Sequence, residues 1–207
     1  MRRKALIIRF YGRGNPMEAS DRSYSYDRDR QSYVSRSGRE WELYVHDYLN
    51  RYFTEHKSNL FIVDGKSIDR RSELWHKLAI PVGLEDTVEG DTDLVIVNKK
   101  DPDAPLGVIS CKTSLHGRFS ETLFYAVVWK QQIPGILVYF ATPDKGRQAK
   151  KGIWESEWGT PSKPTKDRRL AERFLDGVYI DNKHTVLGGK IKALKDLPQD
   201  LQQLLGH

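Results

Sequence analysis

The period of the apolar positions changes several times along the chain. Trp41, Val45, Tyr48, Leu49 and Tyr52 recur at helical spacing after Ser35 or Ser37, either of which can cap a helix. Leu60-Phe61-Ile62-Val63 then reads as a short strand ended by an Asp64-Gly65 turn. Residues 66–79 read as partly helical, with Leu74, Trp75 and Leu78 apolar. Two apolar runs follow, Leu94–Val97 and Leu106–Cys111, separated by the turn-forming stretch 98–105. They are predicted to pair as an antiparallel hairpin. Residues 118–132 read as a helix that is apolar on most sides, ended by Pro134-Gly135. Ile136–Ala141 and Gly177–Ile180 read as further strands, 170–175 as a short helix, and the leucines at 194, 197, 201, 204 and 205 as a C-terminal helix. This order predicts an α/β fold, a mixed β-sheet flanked by helices, in a single domain over 1–207.

Two stretches resist this reading. Residues 11–37 are polar, rich in Tyr, Ser, Arg and Asp, and without period, as expected of an arm. Residues 143–169 lack a period and carry Trp154, Trp158 and many basic residues. Charge gathers in the same places. The 207-residue chain has a formal net charge of +6. Residues 1–40 hold ten Lys or Arg against five Asp or Glu, and 144–169 hold eight against four, which leaves the middle mildly acidic. Basic segments suit a polyanion, and an acidic centre suits a metal ion. The sole cysteine, Cys111, excludes an internal disulfide framework and a cysteine-based zinc site. No apolar run approaches the roughly 20 residues that cross a bilayer, and Arg9 interrupts the short apolar start. A soluble cytoplasmic protein without a membrane partner is expected. Gly188-Gly189-Lys190 lacks the spacing of a phosphate-binding P-loop, and the six histidines have no metal-ligand spacing.

The hairpin concentrates the chemistry. Asp91 and Asp93 precede its first strand, and Ser110-Cys111-Lys112 ends its second. The start of one strand lies beside the end of the next, so Asp93 is predicted to meet Lys112 at one end of the sheet. Asp91 is the alternative to Asp93. An aspartate there can hold Mg²⁺, and a lysine can orient a water and offset charge on a phosphate. Glu42 shares a helical face with Val45 and Leu49, where a carboxylate needs a partner.

Thr92-Asp93 before Leu94–Val97, followed by Ser110-Cys111-Lys112 at the next strand end, resembles the PD-(D/E)XK nuclease superfamily. The longer phrase Ile109–Arg118 is similar to the Ser-Cys-Lys-Thr-Ser-Leu phrase of certain type II restriction endonucleases. The likeness runs over about 38–141, with a further strand near 177–181. It departs from the pattern at Ser110, which stands where an acidic residue is usual. The resemblance therefore implies a carboxylate from elsewhere: Glu121, nine residues after Lys112, or Glu42 on the first helix. It implies a restriction-endonuclease-like core and Mg²⁺-dependent cleavage of double-stranded DNA to 5′-phosphate and 3′-hydroxyl ends. Asp93 with Glu121 or Glu42 would bind metal, and Lys112 would position water. Thr113, Ser114 and Arg118 are expected to contact DNA, with Lys145, Arg147, Lys150, Lys151, Lys163, Lys166, Arg168 and Arg169 on the basic loop. A homodimer would suit a symmetric target. A structure-specific or repair nuclease, the cleavage subunit of a two-chain enzyme, and a non-catalytic DNA-binding module on the same fold are the alternative readings.

Overall fold

The computed structural model describes residues 37–206 except 85, 116 and 149–153. The expected arm and Lys150, Lys151 and His116 therefore lie outside the described residues, apart from Ser37 at the arm's end. Helix α1 spans 37–55. It is followed by β1 (Leu60–Asp64), α2 (Glu73–Leu78), β2 (Ile80–Pro81), β3 (Thr87–Val88), β4 (Leu94–Asn98) and β5 (Asp101–Cys111). Then come α3 (Phe119–Gln132), β6 (Leu137–Thr142), β7 (Arg147–Gln148), β8 (Trp154–Glu155), α4 (Lys166–Phe174), β9 (Gly177–Ile180), β10 (Ile191–Ala193) and α5 (Leu197–Leu205).

Six strands form one mixed sheet in the order β1-β4-β5-β6-β9-β10. The first three run antiparallel to one another, and β5, β6, β9 and β10 run parallel. Strand alternation sends side chains to two faces, and both are covered by helices. Val95, Val97, Val108, Val138, Phe140, Val178 and Ile180 pack against Leu74 and Leu78 of α2, Phe119, Ala126 and Trp129 of α3, and Ala171 of α4. Leu94, Ile96, Ile109, Cys111, Tyr139, Ala141 and Tyr179 pack against Trp41, Val45, Leu49 and Phe53 of α1 and Leu197 and Leu201 of α5. This is the α/β architecture of a restriction-endonuclease-like core.

The antiparallel hairpin forms as expected, with Leu94 opposite Ile109. Its turn is shorter than the sequence suggests. β5 begins at Asp101 rather than at 106, and the register shifts between Ile96 and Asn98. Such irregularities are where a strand admits prolines, here Pro102 and Pro105. Two further expectations are corrected. The helix expected over 170–175 begins at Lys166, because the Thr165 hydroxyl caps it by accepting the Arg168 amide. The basic stretch is not structureless either, since β7 and β8 pair antiparallel within it.

Candidate active site

The end of the sheet that carries Asp93 and Lys112 is built by a close backbone contact. The Gly65 amide after β1 donates to the Asp93 carbonyl at 2.9 Å. A Cβ on Gly65 would fall 1.9 Å from the Thr92 carbonyl oxygen, so only glycine lets the turn lie this close. Asp93 is thereby fixed at the start of β4, beside the end of β5.

Its side chain meets three groups at the end of β5. One carboxylate oxygen accepts from the Cys111 amide at 2.7 Å, from the Lys112 ammonium at 2.9 Å and from the Ser110 hydroxyl at 3.4 Å. Lys112 also reaches Asp91 at 2.6 Å. Lys112 and Asp93 are each only 4% exposed. Burial pushes the Asp93 carboxyl above its ordinary range, and the neighbouring ammonium pulls it back. Burial alone would lower Lys112, but the charges of Asp93 and Asp91 outweigh it and hold the ammonium above its usual value.

Asp91 and Asp93 are therefore not alternatives. Both lie just before β4, and both converge on Lys112. Sequence reasoning considered one aspartate per lysine and so missed the pair. An ammonium has three donors and can hold two carboxylates.

The other two carboxylates sit differently. Glu42, nearly buried on α1, is paired with Arg39 at 3.0 Å and Lys66 at 2.7 Å, and Arg39 also grips Asp64 at the end of β1. Glu42 lies near enough to contribute to the raised pKa of the Cys111 thiol, whose main cause is burial. Glu121 stands exposed in the first turn of α3. Its neighbour Thr122 meets Ser110, hydroxyl to hydroxyl, at 2.9 Å. One turn on from Glu121, Tyr125 is raised first by burial and then by the charges of Glu121 and Asp91, against Lys112. Ser110 itself ties β5 to α3.

Among the described residues, no three His, Cys, Asp or Glu side chains gather where a metal ion would sit. Asp91 and Asp93 nevertheless direct two carboxylates at one cation, at present the ammonium of Lys112. Two carboxylates completed by water and a phosphate suit a hard, oxygen-seeking ion such as Mg²⁺. The residues fit that group.

The expected DNA contacts divide into groups. Thr113 and Ser114 are half-buried and Arg118 is exposed at the start of α3. Lys145, Lys163, Lys166 and Arg169 are exposed, and Arg147 is placed in β7. Arg168 departs from expectation. It is 0% exposed and donates to the carbonyls of Val186 at 3.0 Å and Gly188 at 2.7 Å, and to Glu172. Its guanidinium faces inward and has no surface to offer a phosphate. Trp158 is fully buried in edge contact with Phe119 and Phe140, so it is a packing anchor.

A model of the BsaWI restriction endonuclease type 2 family matches residues 66–200. The chain belongs to that family. No curated protein matches it. The span matched to the BsaWI family takes in Asp91, Asp93, Ser110, Lys112 and Glu121, and begins beyond Glu42. Membership of a restriction endonuclease family makes this a DNA-binding nuclease by class. Among the described residues, no helix is long and apolar enough to cross a membrane.

Proposed function

We propose that the protein is a Mg²⁺-dependent type II restriction endonuclease that cuts double-stranded DNA at a specific sequence. The observation that carries this reading is the convergence of Asp91 and Asp93 on Lys112 at the end of the β4–β5 hairpin in a member of the BsaWI family.

On this reading Asp91 and Asp93 hold the ion, with Glu121 the next carboxylate at hand and Glu42 held back by Arg39 and Lys66. A bound Mg²⁺ supplies positive charge at the scissile phosphate and acidifies a water. The chain's own residues do the rest. The Cys111 amide and the Ser110 hydroxyl fix the Asp93 carboxylate. Lys112 turns its ammonium toward the attacking water and a non-bridging phosphate oxygen, offsetting charge as it builds. Thr113, Ser114 and Arg118, on the loop into α3, grip flanking phosphates. The new bond joins water oxygen to phosphorus and the bond to the 3′ oxygen breaks. One proton of the attacking water goes to solvent, and the 3′ oxygen takes a proton from a solvent water as it leaves as a hydroxyl, opposite a 5′-phosphate. A homodimer presents one such site to each strand of a symmetric target.

The test incubates purified protein with plasmid and phage DNA, with Mg²⁺ or with chelator, beside Asp93→Ala and Lys112→Ala. Discrete fragments only in Mg²⁺, and at least about a hundredfold slower cleavage in both variants, are expected. Intact DNA under all conditions, or full cleavage by either variant, overturns the reading.

A further inference from the structure

A second built feature lies at the same end of the sheet. β5, β6 and β9 run parallel, so Lys112, Asp144 and the 181–184 loop all follow strand ends that point the same way. The end of β9 is two strands from Lys112, roughly 10 Å at the usual strand spacing. There the chain forms an open cleft of about 460 Å³. Trp154, Ser156, Thr160, Lys163 and His184 line it, with Glu155 also at its wall.

Two fully buried charged residues hold these walls. Asp144, 0% exposed and at a left-handed φ of 42°, accepts from the Ser156 hydroxyl at 2.6 Å, the Glu157 amide at 3.1 Å and the Thr185 hydroxyl. Its carbonyl accepts from the Asn182 side-chain amide at 2.8 Å. It thus ties the segment after β8 to the loop after β9. Arg168 fixes the far side of that loop through the carbonyls of Val186 and Gly188. Burying charge is costly, and strained backbone persists only where its surroundings enforce it. Neither residue touches Asp91, Asp93 or Lys112, so what they preorganise is the cleft.

The lining has the chemistry of a nucleotide site. Trp154 is 37% exposed although large and aromatic, and its ring lies 5.7 Å from that of His184, tilted by 56°. Its indole N–H is taken by the Lys145 carbonyl at 3.1 Å and Gly146 packs against the ring, which fixes it and leaves its exposed part toward the cleft. Lys163 is exposed beside hydroxyls of Thr160 and Ser162, which bond each other at 3.1 Å. An aromatic face with a cation and hydroxyls is how single unstacked bases are held. A base outside the helical stack also fits a concave site better than a groove edge does.

We infer that this cleft binds one nucleobase of the DNA outside its stack, on Trp154 and His184, with the adjoining phosphate on Lys163. Glu155 is the acceptor for an exocyclic amino group. The inference rests on the nuclease reading above and adds a second contact to the same substrate.

The test uses the full chain and a duplex carrying its own cleavage sequence, read from the ends of cut fragments. 2-Aminopurine replaces each base in turn, and Ca²⁺ replaces Mg²⁺. One position away from the scissile step is expected to change its emission on binding. Trp154→Ala removes that signal and weakens binding about tenfold or more, the scale of one base–aromatic stack, while Trp154→Phe keeps both in large part. Lys163→Ala and His184→Ala weaken binding severalfold and serve if Trp154→Ala melts lower than the parent. No emission change at any position, or all variants binding within twofold of the parent, overturns the cleft assignment while cleavage stands. A parent that neither binds nor cuts DNA overturns the nuclease reading and this inference with it.

Discussion

A buried carboxylate is tolerable only when its lone pairs are met, and Asp93 meets this condition by drawing three donors from three consecutive residues, the last two of β5 and the one after it. Ser110 is the weakest of the three at 3.4 Å and spends its hydroxyl mainly on Thr122. Asp91 is different, because it is the second carboxylate that holds Lys112. Two substitutions separate these roles. Ser110→Ala is expected to cost about 1 kcal/mol of stability and to keep Mg²⁺-dependent cleavage within about tenfold of the parent. Asp91→Ala is expected to slow cleavage at least about a hundredfold with folding retained. Initial rates and thermal melts of both variants decide it. Equal rates for Asp91→Ala and the parent would return the second carboxylate to Glu121. Asp93 and Lys112 were legible in the sequence because a hairpin forces its ends together. The fate of Glu42 was not, because Lys66, and Asp64 acting through Arg39, reach it from the end of β1, whose packing on α1 no local pattern records.

Elements meet through side chains that finish what the backbone leaves open. β1 is an edge strand, and Asn50 of α1 both accepts from the Ile62 amide at 2.9 Å and donates to its carbonyl at 3.0 Å. The side-chain amide thus takes the place of a neighbouring strand. At the other end of β1, Arg39 binds Asp64 and holds its carboxyl below the ordinary range, opposed by partial burial. A carboxyl lowered by folding stabilises the native state above its unfolded pKa, and that contribution is lost as pH falls through the folded value. The pair is partly exposed, so the effect is roughly 1 kcal/mol or less. Thermal melts between neutral pH and pH 2 should show the parent losing its advantage over Asp64→Asn as pH falls below about 4. A constant gap across that range would show that Asp64 acts through packing alone. Elements of this size were readable where the apolar period was long, as in α1, α3 and the central strands. α4 was cut short in the sequence reading because its first turn is polar and is set by the Thr165 cap and by Arg168, which turns inward. β10 has three residues, too few to show a period.

At the scale of the whole molecule, the net charge of +6 matters through where it faces. Arg118, Lys145, Lys163, Lys166 and Arg169 are exposed, whereas Arg168 is locked inside by two carbonyls and Glu172. Composition counts all of these alike, and so did the sequence reading. Salt separates them. Each phosphate neutralised releases counterions and steepens the fall of log affinity with log salt by about 0.9. Five contacts would weaken binding roughly 10²- to 10³-fold between about 50 and 200 mM salt. Lys166→Ala and Arg169→Ala should each reduce that slope by about one and leave the melting temperature nearly unchanged. Arg168→Ala should do the reverse. It empties a fully buried side-chain site, leaves the Val186 and Gly188 carbonyls without their donors and opens the 186–188 loop, at a cost of about 2–3 kcal/mol, with no first-order change in slope. Filter binding across a salt series, with a melt of each variant, tests the division. A reduced slope with an unchanged melt for Arg168→Ala would mean that its guanidinium leaves the interior when DNA binds. The 186–188 loop would then move with the substrate instead of waiting for it in place.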